Sequence, residues 1–157
     1  MNNDVHSNMM EKEMTKLSKI QQNRTTVTKF LDGTHSGRFE VIDDTVVENL
    51  VTHGFPGGNP ASREQYKQWF RGFQSAFSIV GFETLAIVAD EEKVAVRWRF
   101  TVDHSGKFAG VEATGRRIAF DGMVLYRLEN GLIAETWLHI NELSLLQQVG
   151  AVPALAA

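Results

Sequence analysis

The sequence predicts an α+β domain, and three observations carry that prediction. Apolar residues recur at helical spacing up to Gly81 and alternate in strand fashion after it. The helical segments precede nearly all the strands instead of interleaving with them, which argues against a parallel βαβ sheet. An Asn130-Gly131 pair between two alternating runs marks a tight hairpin, so the late strands pair antiparallel.

Composition sets the outer bounds. The chain has 157 residues, 43% of them hydrophobic, which suits one domain with its own core. A net charge of −3 provides no basic footprint, so nucleic acid is not an expected partner. There are no cysteines, which removes disulfides, thiolate metal sites and a cysteine nucleophile, and fits a cytoplasmic location. No apolar run approaches the ~18 residues of a membrane span. The start, Met1-Asn2-Asn3-Asp4-Val5-His6, does not read as a secretory signal.

The elements follow in order. Residues 1–9 read as a polar, disordered tail. A helix is predicted from Met10 to Leu31, with Met14, Leu17, Ile20, Val27, Phe30 and Leu31 as its apolar positions and Asp32-Gly33 as its stop. Ser36-Gly37 opens a shorter helix carrying Phe39, Ile42, Val46 and Val47, and Asn49 to His53 reads as a short strand. The Gly- and Pro-rich stretch from Gly54 to Pro60 is a loop. A third helix starts at Ser62, where Gln65 completes a capping box, and its stripe of Tyr66, Trp69, Phe70, Phe73 and Phe77 reads as a buried face. Strands are predicted over 82–89, 94–104, 116–128 and 132–141. In the second of these Val94, Val96, Trp98, Phe100 and Val102 share one face. A short helix over 143–149 closes the domain, and 151–157 reads as a loose tail.

Four stretches resemble a known family. They are Val51-Thr52-His53-Gly54-Phe55-Pro56-Gly57; Val94-Ala95-Val96-Arg97-Trp98 with His104-Ser105-Gly106-Lys107-Phe108-Ala109-Gly110 after it; Thr114-Gly115-Arg116-Arg117-Ile118-Ala119-Phe120-Asp121-Gly122; and Asn130-Gly131-Leu132-Ile133-Ala134-Glu135-Thr136-Trp137 followed by Leu145-Leu146-Gln147-Gln148-Val149-Gly150. In this order and spacing they resemble the SnoaL-like polyketide cyclases, within the wider superfamily of nuclear transport factor two. The resemblance spans about Ile20 to Gly150. It implies a cone-shaped fold in which three N-terminal helices pack on a curved, mostly antiparallel sheet and enclose a pocket, as one domain over 10–150. It also implies a cyclase-type enzyme acting on a small apolar carbonyl compound by intramolecular aldol chemistry, with no metal and no cofactor. The protein's part in such chemistry is to fold the substrate and move a proton.

The family's acid/base is an aspartate four residues after the Trp of the Glu-x-Trp motif, and Asn141 stands there. An amide holds a carbonyl or a water but takes no proton. Two readings follow: an enzyme that uses another base, or a non-catalytic small-molecule-binding protein that lost the aspartate. Glu135, Trp137, His139 and Asn141 share a strand face by the period of two. If that face lines the hollow, His139 is a candidate base, as is His53 ahead of the Gly/Pro loop. Asn141, Trp137, Glu135 and His104 are the expected polar contacts, and Trp98, Phe108, Phe120, Met123 and Phe55 the expected apolar wall for a flat or polycyclic ligand. Each has a structural alternative. Glu135 pairs with Arg97, Arg99 or Arg127; His53 and His104 hold turns by bonding backbone; the aromatics are core. His6 and His35 read as surface residues. His53, His104 and His139 lack the short ligand spacings of metal sites, so no metal is expected. Leu138 and Ile140 then fall on the outer sheet face, where a second copy would make a homodimer.

Overall fold

A computed structural model describes residues 2–154. The elements are α1 (Asn2–Thr34), α2 (Val41–Thr45), β1 (Val46–His53), α3 (Arg63–Ala76), β2 (Phe77–Ala89), β3 (Lys93–His104), β4 (Arg117–Glu129), β5 (Leu132–Ile140) and α4 (Glu142–Val149). The strands form one sheet in the order β1-β5-β4-β3-β2. β1 runs parallel to β5, and every other neighbouring pair is antiparallel. The α+β architecture is as the sequence predicts.

Local chemistry explains the joints. Ser62 caps α3, its Oγ accepting from the Gln65 N–H at 3.2 Å, while the Gln65 side chain accepts from the Ala61 N–H at 2.9 Å. At the β2–β3 turn the Asp90 carboxylate accepts from the N–H groups of Glu92 and Lys93, at 2.8 and 2.6 Å. These bonds hold its pKa below the ordinary carboxylate range. Asn23 of α1 donates to the Asp90 and Glu91 carbonyls of the same turn and so fastens the helix to the hairpin. At the β4–β5 turn Asn130 and Gly131 both take positive φ, 50° and 76°, as a two-residue hairpin loop requires.

The core lies between the helices and one face of the sheet. Val94, Val96, Trp98, Phe100 and Val102 are all buried, as their alternation predicts. Phe30 of α1 packs edge-on to Tyr126, and Phe73 of α3 stacks on Phe100 with centroids 5.4 Å apart.

Several boundaries differ from expectation. α1 extends through the segment predicted as a polar tail, because no proline or glycine interrupts it from Asn2 to Asp32. Side chains from Asp4 to Lys19 are exposed, so the turns there stand without tertiary cover. The second helix shrinks to Val41–Thr45, and β1 begins at Val46, three residues ahead of the prediction. Phe77 belongs to the helical stripe and the following strand alike. Its N–H still bonds the Phe73 carbonyl while its φ and ψ, −136° and 126°, are already extended, so β2 starts there. Ala151 to Ala154 carry no helix or strand; residues 155–157 of the expected loose tail lie outside the described residues.

Candidate functional site

A cavity of about 60 Å³ lies between α1, α3 and the inward sheet face. Trp98, Phe100, Phe120, Val124 and Tyr126 form its floor, with Leu138 and Ile140 from β5 beside them. α3 contributes Tyr66, Trp69, Phe70 and Phe73, and the end of α1 contributes Leu31, Thr34 and His35. Phe55 closes one side. Its loop is held by three bonds: Phe55 N–H to Asn59 Oδ1 at 3.1 Å, Trp69 Nε1–H to the Pro56 carbonyl at 2.9 Å, and the Thr52 hydroxyl to the Pro60 carbonyl at 2.6 Å. Among the described residues no aspartate, glutamate, lysine or arginine lines the space.

Its polar groups are neutral by construction. Burial raises the Tyr66 phenol, and the adjacent Thr136 hydroxyl offsets part of that without forming a well-aligned bond. Burial also raises the Tyr126 phenol well above its ordinary value, and the nearby Tyr66 adds to the shift. His35 is the third group. Part of the residue reaches the surface. Its ring, however, stacks on Phe82 at 3.7 Å between centroids and meets the edges of Phe70 and Phe100. Desolvation pushes its pKa down to about 4, against a smaller upward pull from the Leu31 carbonyl. That carbonyl only accepts, so the 2.9 Å contact places the proton on Nδ1 and leaves the lone pair on Nε2.

The expected row on β5 faces the other way. Across β4, Glu135 pairs with Arg127, Trp137 with Leu125 and His139 with Met123, all on the outer face. Leu138 and Ile140, opposite Val124 and Gly122, point to the cavity. The expectation that Glu135, Trp137 and His139 enter the hollow, with Leu138 and Ile140 outside, is therefore corrected by one residue of phase. A strand with one buried face puts its apolar alternates inside. Asn141 caps α4, its Oδ1 accepting from the Ser144 N–H, while its amide donates to Asp121 Oδ1, both at 3.4 Å.

The outer face carries an ion cluster of its own. Glu135 accepts from His53 Nε2 at 2.8 Å and from Arg127 Nε at 2.9 Å, and Arg127 also pairs with Glu129. His53 first, and Arg127 second, hold the Glu135 carboxyl below the usual range. The His53 ring lies parallel to Trp137, with centroids 5.2 Å apart. His53 thus staples the parallel β1–β5 edge rather than facing the cavity. His104 is fully buried away from the cavity. Its Nδ1 accepts from the Thr114 N–H at 3.3 Å and lies 2.9 Å from the Thr114 hydroxyl, so it organises the loop after β3. Phe108 packs on Phe77 instead of the cavity, and Met123 is exposed on the outer face. Of the expected wall, Trp98, Phe120 and Phe55 reach the cavity. From sequence Tyr66 reads only as part of a buried helix face, Tyr126 is not named, and the reading of His35 as a surface residue is corrected by its packed ring. For His35 no local signal marks this burial, because its packing comes from Phe82 and Phe100, distant in sequence.

Among the described residues no three His, Asp or Glu side chains gather as a metal-binding group, and no helix is long and apolar enough to cross a membrane.

A helix-covered sheet holding an aromatic, uncharged hollow defines an α+β protein of the pocket-bearing kind. The chain belongs to the SnoaL-like polyketide cyclase family, whose model matches residues 24–149. Solved structures agree on the fold. AclR from Streptomyces galilaeus, a proposed hydroxylase, is 24% identical with a TM-score of 0.76, covering 87% of this chain and 86% of its own. A proposed SnoaL-like polyketide cyclase from Jannaschia sp. CCS1 is 19% identical with a TM-score of 0.77, covering 85% and 95%. IdmH from Streptomyces antibioticus, a proposed polyketide cyclase, is 25% identical with a TM-score of 0.73, covering 82% and 99%. Comparison with curated proteins gives no match.

Proposed function

We propose that the chain is a cyclase-type enzyme that binds a small, uncharged, apolar carbonyl compound in this cavity and moves a proton next to the carbonyl without a cofactor. The observation that carries the reading is the cavity itself: aromatic walls, no charged lining among the described residues, and three titratable groups held neutral, Tyr66, Tyr126 and His35. Two phenols are suited to donate to a carbonyl oxygen as negative charge develops there. The Nε2 lone pair of His35 is the acceptor available for a proton. His53 and His139, on the outer face, are not part of this arrangement. The test is deuterium exchange at the carbon beside the carbonyl of small 1,3-dicarbonyl compounds, followed by NMR. Saturable acceleration by the protein, lost when Phe100→Trp fills the cavity, is expected. Equal rates with and without protein would refute catalysis.

A second reading, a binding protein without catalysis, is favoured by Asn141 in place of the family aspartate and by the absence, among the described residues, of any carboxylate on the cavity lining. Saturable ligand binding by a native chain that accelerates no exchange would select it. A homodimer remains part of the proposal. The outer face presents Trp137 and the exposed Met123 among charged residues of both signs, and this is the face a second copy would cover. Sedimentation as a monomer at all concentrations would remove it.

A further inference from the structure

The cavity is not sealed where α1 ends. His35, Gln74 and Ile79 line it and also line a second, open depression of about 360 Å³, which Ser36, Gly37, Phe77 and Ser78 complete. These three residues form a neck between the two spaces. The neck matters because the cavity alone is small, against the roughly 150 Å³ of an engineered apolar void that holds benzene. A ring-sized ligand therefore displaces wall side chains as its apolar part enters, and its polar end stays at the neck.

His35 is the neck residue with defined chemistry. Its Nδ1–H is committed to the Leu31 carbonyl, and Phe82 stacks on its ring, so both its tautomer and its orientation are fixed. Nε2 has no partner among the described residues. Nor is it one of the two sealed, unpartnered side-chain atoms, which are His104 Nε2 and Thr136 Oγ1. A preorganised lone pair at an opening, with no charge beside it in the cavity, selects a neutral hydroxyl.

We propose that His35 Nε2 is the recognition point for the hydroxyl of an uncharged phenol- or enol-type ligand, whose apolar part enters the cavity. This rests on the cavity being the ligand site, and the experiment separates the two ideas. Phenol and toluene have nearly the same shape, and only phenol donates a hydrogen bond. Each is titrated by NMR into the native protein, His35→Phe and His35→Gln, with benzoate as the charged control. The phenylalanine keeps the stack and loses the acceptor, whereas glutamine offers an oxygen near the Nε2 position. A retained native-like spectrum establishes that each variant is folded.

The native protein is expected to bind both ligands and reject benzoate. His35→Phe is expected to weaken phenol about fivefold, the value of one neutral hydrogen bond, while toluene changes less than about twofold. His35→Gln is expected to restore part of the phenol affinity. Toluene binding with phenol unaffected by His35→Phe would overturn the role of His35 and leave the cavity reading intact. Failure of both ligands to bind any variant would overturn the cavity reading and this inference together. If both histidine variants are unfolded, Phe82→Leu, which removes the stacking partner, replaces them, and an unchanged phenol-to-toluene ratio there counts against the proposal.

Discussion

The two faces of the sheet use histidine in opposite ways. On the inner face, His35 is packed among aromatic rings, neutral, and held by one backbone carbonyl. On the outer face, His53 is 44% exposed by side chain and bonded to a carboxylate that Arg127 also holds. Desolvation lowers the pKa of the first, while the second is held by its bond to Glu135. The inner residue is buried at an opening, where a small molecule has reason to meet it. The outer one contributes to an edge that water already solvates.

The largest expected effect lies on the inner face. Phe100 meets Phe73, Phe82, Phe120 and His35. Phe100→Ala is expected to cost about 3–5 kcal/mol in urea unfolding, the range for deleting a large buried aromatic. A cost below about 1 kcal/mol would mean that this region is already loosely packed.

The next effect depends on pH. The folded pKa of His35 lies near 4 against 6.5 for a free imidazole, so the unfolded chain takes the proton first. The neutral ring's contribution is whole above about pH 6.5 and is lost as pH falls towards about 4. The loss is up to roughly 3 kcal/mol, less whatever the exposed rim of the residue gives back. Compared with His35→Phe, the native protein is expected to lose that much more stability between pH 7 and pH 4. Parallel pH profiles would show that the imidazole is solvated.

Gly122 gives a smaller effect and ties the faces together. A Cβ there would strike the Trp98 ring on the inner side and the His139 carbonyl of the paired strand. Neither can yield cheaply, since one is a packed indole and the other a ladder backbone group. Gly122→Ala is expected to cost about 1–3 kcal/mol. Because Trp98 is part of the cavity wall, the same change is expected to shift toluene affinity.

Much of this was legible in the sequence, and the misreading is instructive. The β3 alternation and the Asn130-Gly131 turn predict what the structure has, because local patterns decide them. The phase of β5 was equally readable. Leu138 and Ile140 alternate with Glu135 and His139, and burying the apolar pair is the cheaper choice. A reading that sets the polar row inside, from the position of the family aspartate, leaves Leu138 and Ile140 facing water. His35 was harder. Nothing local distinguishes a histidine after a helix from a surface one, and its burial arises from Phe82 and Phe100, far along the chain.

The smallest effect is predicted where the sequence suggested catalysis. His53→Ala removes one of the two side chains that hold Glu135, and Arg127 keeps the other oxygen. The carboxylate therefore stays charged and partnered, and an exposed pair of this kind adds little because water competes for both members. The unfolding midpoint of His53→Ala is expected to lie close to that of the native protein, with toluene and phenol affinities unchanged. The residual coupling is expected in acid. Glu135 is held below its ordinary pKa, so its pairing contributes above that value and fades as pH falls through the lowered one. Losing His53 moves the fading to higher pH. A His53→Ala variant that lost ligand binding while remaining folded would connect the outer cluster to the cavity, and the separation of the two faces argued from β5 would fail.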